Sequence, residues 1–254
     1  MTELNDFTIF IIGAVVGFLS GLLGKGGSAI TTPSLQIFAG IAPFTALASP
    51  LPATLPTTLS ASFAYRGRNL IDMRVVMLSI LWGIPATLAG SYFSNLIKGS
   101  ALMILTAIFV LSLGISFFIS TPTEGHSSEE VIPTWKIVIV ALGVGLLSGL
   151  LANSGGVLFG PLFIKFLKMP TKKALASSLI ISAGLAVPGT IAHWYLGHID
   201  WQIVLLLSVS SIPFSYIGAK VAIKMNSMIL EKIFGLMLVG FGAFDLFYSI
   251  VHAR

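Results

Sequence analysis

The chain has 254 residues, of which 56% are hydrophobic and 9% charged, where a soluble domain carries about 25% charged residues. A folded chain of this size leaves much of its surface exposed, so this composition excludes water as the main solvent and requires lipid. The net charge of +5 lies in short gaps between apolar runs, the positive-inside pattern, which argues against nucleic acid as a partner, and the lack of cysteine excludes disulfides, thiolate metal sites and thiol chemistry.

The elements follow in chain order. The N-terminus, Met1 to Asp6, is acidic and lacks the basic start of a signal peptide, so the first apolar run is expected to stay in the structure. Apolar segments cover 7–24, 28–41, 45–64, 73–97 and 101–120. A polar stretch, 121–135, reads as a cytoplasmic linker, and five more segments cover 136–152, 156–168, 174–193, 201–225 and 229–251. A bilayer span needs about 20 residues. The second segment of each half is short, and either re-enters beside the first or crosses as a short, tilted helix.

The two halves, 7–120 and 136–251, are copies of one another. Val16-Gly17-Phe18-Leu19-Ser20-Gly21-Leu22-Leu23 recurs as Val144-Gly145-Leu146-Leu147-Ser148-Gly149-Leu150-Leu151, an offset of 128 that holds without a gap for about a hundred positions. Gly27, Pro33, Ser49, Asp72, Pro85 and Gly90 fall on Gly155, Pro161, Ser177, Asp200, Pro213 and Gly218. An odd number of crossings per half inverts the second half. That arrangement puts eleven of the fourteen basic residues inside, among them Arg66, Arg68, Arg74, Lys165, Lys168, Lys172 and Lys173. The fold class is therefore all-α integral membrane: two inverted-topology repeats of about five apolar segments each, 8–10 membrane segments in all.

Inverted repeats with short, glycine-interrupted segments at matching positions point to a transporter with its site at the repeat interface near midplane. Those positions are Lys25-Gly26-Gly27-Ser28 and Asn153-Ser154-Gly155-Gly156. Glycine pairs break a helix, and the first N–H groups of the next helix, with its dipole, favour an anion. A lysine in the bilayer costs at least about 2.5–3.5 kcal/mol and marks an ion or substrate path, unless the turn reaches the surface and Lys25 snorkels. Ser49 and Ser177 are candidates to line the path, and the three prolines at 50, 52 and 56 should break the third segment. Asp72 and Asp200 should cap the helices that follow them. Asp245, inside the last span, either pairs with a basic or hydroxyl group or carries a coupling proton. No HExxH motif, membrane aspartate pair or cysteine nucleophile is present, so neither an enzyme, a metal site nor a cofactor is expected.

The stretch VGFLSGLLGKGGSAITTPSL at 16–35, its repeat VGLLSGLLANSGGVLFGPLF at 144–163, and the turns RGRNLID and LGHID resemble the TauE/SafE sulfite exporters, a family also described as sulfonate uptake permeases. The resemblance runs from about Gly13 to Tyr248. It implies a carrier in a bacterial inner membrane for sulfite, sulfonates, sulfoacetate or a similar small anion, coupled to a proton or sodium gradient. Together with the residue pattern it makes Lys25, Gly26, Gly27, Ser28, Ser49, Asn153, Ser154, Gly155, Gly156 and Ser177 the expected substrate-binding set. An anion channel of the same architecture and a carrier of a non-sulfur carboxylate are the alternatives. Besides the substrate, the expected partners are the coupling ion, the lipid bilayer and a second copy of the chain as a homodimer.

Overall fold

In the computed structural model the described residues are 3–24, 28–66, 68–93, 99–119, 132–150, 155–195 and 197–252, and they form eleven helices and no strand. The first half holds α1 (Glu3–Leu23), α2 (Ser28–Phe38), α3 (Pro43–Ala48), α4 (Pro50–Ala64), α5 (Met73–Phe93) and α6 (Gly99–Ile119). The second holds α7 (Thr134–Leu150), α8 (Gly156–Lys165), α9 (Thr171–Tyr195), α10 (Trp201–Lys224) and α11 (Ser227–His252). Among the described residues, five stretches are long and apolar enough to cross a bilayer: Asn5–Leu23, Met73–Phe93, Thr171–Tyr195, Trp201–Lys224 and Ser227–Phe244. At about 1.5 Å per residue, α2 with 11 residues and α8 with 10 reach only about half of the hydrocarbon thickness.

Both glycine motifs interrupt the helix that precedes them. Gly24 turns left-handed at φ +64 after α1, and Gly155 does so at φ +69 immediately before α8. Glycine enters that region without the Cβ penalty other residues carry. The proline-rich stretch meets the expectation of a break in part. The chain makes one turn at Ser49 between α3 and α4, then stays helical from Pro50 through Pro52 and Pro56 to Ala64. Pro50 and Pro52 sit in the first turn of α4, where a missing N–H removes no helical bond. The equivalent stretch of the second half, with Ser178 in place of Pro50, is one unbroken helix, α9.

The helices do not pack in chain order. Each half sends helices across to the other: α1 lies along α10, and its equivalent α7 lies along α5. Gly17 faces Ser211 and Gly21 faces Ser215, while Gly145 faces Gly83 and Gly149 faces Thr87, so within each pair the helices run in the same direction. Every one of these partners is the other's counterpart at the offset of 128. Gly218 against the Phe18 carbonyl and Gly90 against the Leu146 carbonyl complete the set. A methyl group at any of these glycines would overlap the facing backbone, so the interhelical distance depends on them. Equivalent helices also meet each other. Gly189 of α9 packs on Leu51 while Ala61 and Tyr65 cluster with Ala176 and Leu179, which sets α4 antiparallel to α9. Gly114 beside Leu238 and Gly235 beside Phe117 set α6 antiparallel to α11.

Gly21→Ala and Gly149→Ala should each lower stability by about 1–3 kcal/mol through overpacking. Gly143→Ala, where a Cβ meets nothing within 4 Å, should be neutral or slightly stabilising. Thermal unfolding of the purified variants in detergent checks both.

Candidate functional site

Three features bring polar groups into the apolar interior, the first two where the halves meet. The first is a pair of reciprocal bonds. The peptide N–H of Asp200 donates to Ser49 Oγ at 3.0 Å, and the N–H of Asp72 donates to Ser177 Oγ at 3.0 Å. Ser49 and Ser177 are equivalent residues, as are Asp72 and Asp200, so each half holds the other in the same way. Both serines are fully buried. Each aspartate then caps its own helix: Asp200 Oδ1 accepts from the N–H groups of Gln202 and Ile203, and Asp72 Oδ1 from that of Val75. A Lys173–Asp72 ion pair at 3.2 Å adds to one of the two bonds. Thr45, the counterpart of Lys173, brings no charge to the other.

The second feature is a cavity of about 20 Å³ between α1, α2, α4 and α10, room for about one water. Thr31, Thr54, Thr57 and Ser211 line it, with Pro50 and Gly13. Thr54 Oγ1 donates to the Pro50 carbonyl at 2.9 Å, and Thr57 Oγ1 to the Ala53 carbonyl at 2.7 Å. Thr57 and Ser211 join their hydroxyls across the two halves. The equivalent positions in the second half carry Phe159 for Thr31 and Leu185 for Thr57, both core residues. At these two positions the duplicated frame is polar on one side and apolar on the other, while Ser182, the counterpart of Thr54, stays polar.

The third feature is a buried carboxylate. Glu231 of α11 is 4% exposed and accepts a hydrogen bond from Thr171 Oγ1 at the start of α9. Lys165 at the end of α8 lies nearby, its Nζ 4.3 Å above the Phe117 ring. A buried carboxylate is expensive unless hydrogen-bonded or paired. Sequence reasoning selected Asp245 on α11 and passed over Glu231, whose place near a helix start looks like an ordinary surface position.

The expected site residues divide accordingly. Ser49 and Ser177 come to the interface between the halves, and Gly155 and Gly156 form the buried start of α8. Ser28 begins α2. Lys25, Gly26, Gly27, Asn153 and Ser154, and the side chains of Ser28 and Asp245, lie outside the described residues. Leu175 of α9 touches both Gly24 and Gly160, so the end of the first glycine motif and the helix after the second pack on one side chain. Sequence reasoning missed Thr31, Thr54, Thr57 and Ser211, although the run of threonines among prolines at 54–58 carried a signal.

Ser177→Ala should cost about 1 kcal/mol, because it leaves the Asp72 N–H without its acceptor, and Ser49→Ala should do the same at Asp200. Faster hydrogen exchange confined to the first turns of α5 and α10, respectively, is the measurement that separates the two variants.

The chain matches the family model described as sulfite exporter TauE/SafE over residues 9–244. A probable membrane transporter protein of Bacillus subtilis (strain 168), YunE, is 23% identical over 248 residues, covering 88% of this chain and 89% of that protein. A probable membrane transporter protein of Xylella fastidiosa (strain 9a5c) is 26% identical over 243 residues, covering 93% of each. The YfcA protein of Escherichia coli (strain K12), also named a probable membrane transporter protein, is 19% identical over 224 residues, covering 88% of this chain and 82% of that one. No solved structure matches. With nearly its whole length inside one family model and its membrane-length helices in place, the chain belongs to the TauE/SafE sulfite exporter family of membrane transporters.

Proposed function

We propose that the protein is a secondary carrier of a small organic or sulfur-containing anion in a bacterial inner membrane. Its two halves form an inverted-topology repeat and work by alternating access. The observation that carries this reading is the reciprocity of the contacts between halves. Equivalent helices α4 and α9, and α6 and α11, run antiparallel, and Ser49–Asp200 mirrors Ser177–Asp72. A pair of equal bonds related by a two-fold axis in the membrane plane gives two arrangements of similar energy, one with each side open. Alternating access needs such a balance.

The anion would sit at the glycine motifs, held by the N–H groups of Gly26, Gly27, Gly155 and Gly156, by Ser28, Asn153 and Ser154, and by the cation of Lys25. Ser49 and Ser177 would couple the site to the relative position of the halves. Asp245 is one candidate for the coupling group. Glu231, buried and hydrogen-bonded to Thr171, is a second.

Reconstitution into proteoliposomes tests the reading. Uptake of sulfite, sulfoacetate or taurine should saturate, and an imposed proton or sodium gradient should drive it uphill. Flux that does not saturate and ignores both gradients would instead indicate a channel. Lys25→Ala should weaken apparent substrate affinity at least about tenfold, since a charged hydrogen bond contributes about 1.5–3 kcal/mol. Unchanged affinity and rate in that variant would remove Lys25 from the site.

A further inference from the structure

The motif shared by α1 and α7 carries a serine, Ser20 and Ser148, between the glycines that pack those helices on α10 and α5. Both serines are buried, at 0% and 3% exposure, and among the described residues neither hydroxyl has a hydrogen-bond partner. Hydroxyls elsewhere in these helices behave otherwise. Those of Thr54, Thr57, Thr58, Ser62, Thr87, Ser182 and Ser210 donate to the carbonyl four residues back, the usual resort of a hydroxyl in an apolar helix. Of the buried hydroxyls left without a partner, Ser20 and Ser148 are the pair related by the offset of 128.

Ser148 also has a direction. A Cβ on Gly155 would lie 2.5 Å from Ser148 Oγ, so the hydroxyl rests against Gly155, the left-handed residue that starts α8. Among the described residues no side chain caps this helix start. The Gly155 carbonyl accepts from the N–H groups of Leu158 and Phe159, so α8 is in register from its first turn. The earliest N–H groups of a helix have no acceptor within it, and residues 155–160 are buried away from water. An uncommitted hydroxyl hydrogen and the positive end of a ten-residue helix thus meet in one buried place. Donors with no acceptor call for an anion. The absence of a side chain at Gly155 admits the Ser148 hydroxyl to that place, a role beyond its backbone angle.

We propose that Ser148 is an anion-binding residue, its hydroxyl completing with the start of α8 a subsite for one oxygen of a small oxyanion. The proposal rests on the anion-carrier reading and names a ligand group on the helix before the second motif, outside the glycine turn itself. It has a consequence independent of transport. A buried hydroxyl without a partner destabilises the empty protein, so its removal relieves a cost.

The test uses the full chain purified in detergent, as wild type and Ser148→Ala, with sulfite, sulfoacetate and acetate as probes at fixed ionic strength. Without ligand, the unfolding midpoint of Ser148→Ala should equal the wild-type value or exceed it by about 2–4 °C. The apparent Kd of Ser148→Ala for the anion that stabilises the wild type should be about ten- to a hundredfold weaker. A lower midpoint, or failure of Ser148→Ala to fold, would show that the hydroxyl has a structural partner and would overturn the proposal. Wild-type affinity in the variant would overturn it equally, while leaving the carrier reading intact. If no probe moves the wild-type midpoint, the anion assignment falls for the site and the carrier together.

Discussion

A peptide N–H at the start of a helix has no acceptor within that helix, and this constraint shapes the contact between the halves. The first turns of α5 and α10 meet it with an aspartate of their own and a serine from the opposite half. The result is a polar fastening at two equivalent places, where a purely hydrophobic contact would give little preference over lipid. Ser49 and Ser177 therefore belong to the mechanics of the interface first. Any part they take in handling substrate follows from holding α10 and α5 by their ends.

Close packing supplies the rest of the contact. Glycines on α1 and α7 let backbones approach α10 and α5 to distances that no side chain would permit, and the pairs repeat at the offset of 128. Dispersion and interhelical hydrogen bonds gain most from such an approach, because lipid offers apolar contacts as good as those of leucine. On this symmetric frame the filling is unequal. Thr31, Thr54, Thr57 and Ser211 leave room for about one water beside α4, whereas Phe159 and Leu185, the counterparts of Thr31 and Thr57, belong to the hydrophobic core.

Charged side chains gather where α8 ends and where α9 and α11 begin. Glu231 is buried beside Thr171, with the Lys165 side chain over the Phe117 ring, so α6, α8, α9 and α11 meet there at ionisable groups.

By itself the sequence determined the solvent, the duplication, the helical class, the helix breaks near Gly24 and Gly155 and the capping by Asp72 and Asp200. Each of these follows from composition, spacing or local backbone chemistry, which a linear chain displays. It expected the prolines to break the third segment, which does turn at Ser49, but not that Pro50 and Pro52 would fall in the first turn of the helix that follows, a position visible only once its start is known. Only the tertiary structure decided that α1 lies on α10 and α7 on α5, that Thr57 meets Ser211, and that Ser148 rests on Gly155 while Ser177 serves Asp72. The physical reason is that a hydroxyl's role depends on its neighbour across the interface. For Thr57–Ser211, Ser49–Asp200 and Ser177–Asp72 that neighbour stands 154, 151 and 105 residues away, on the other half.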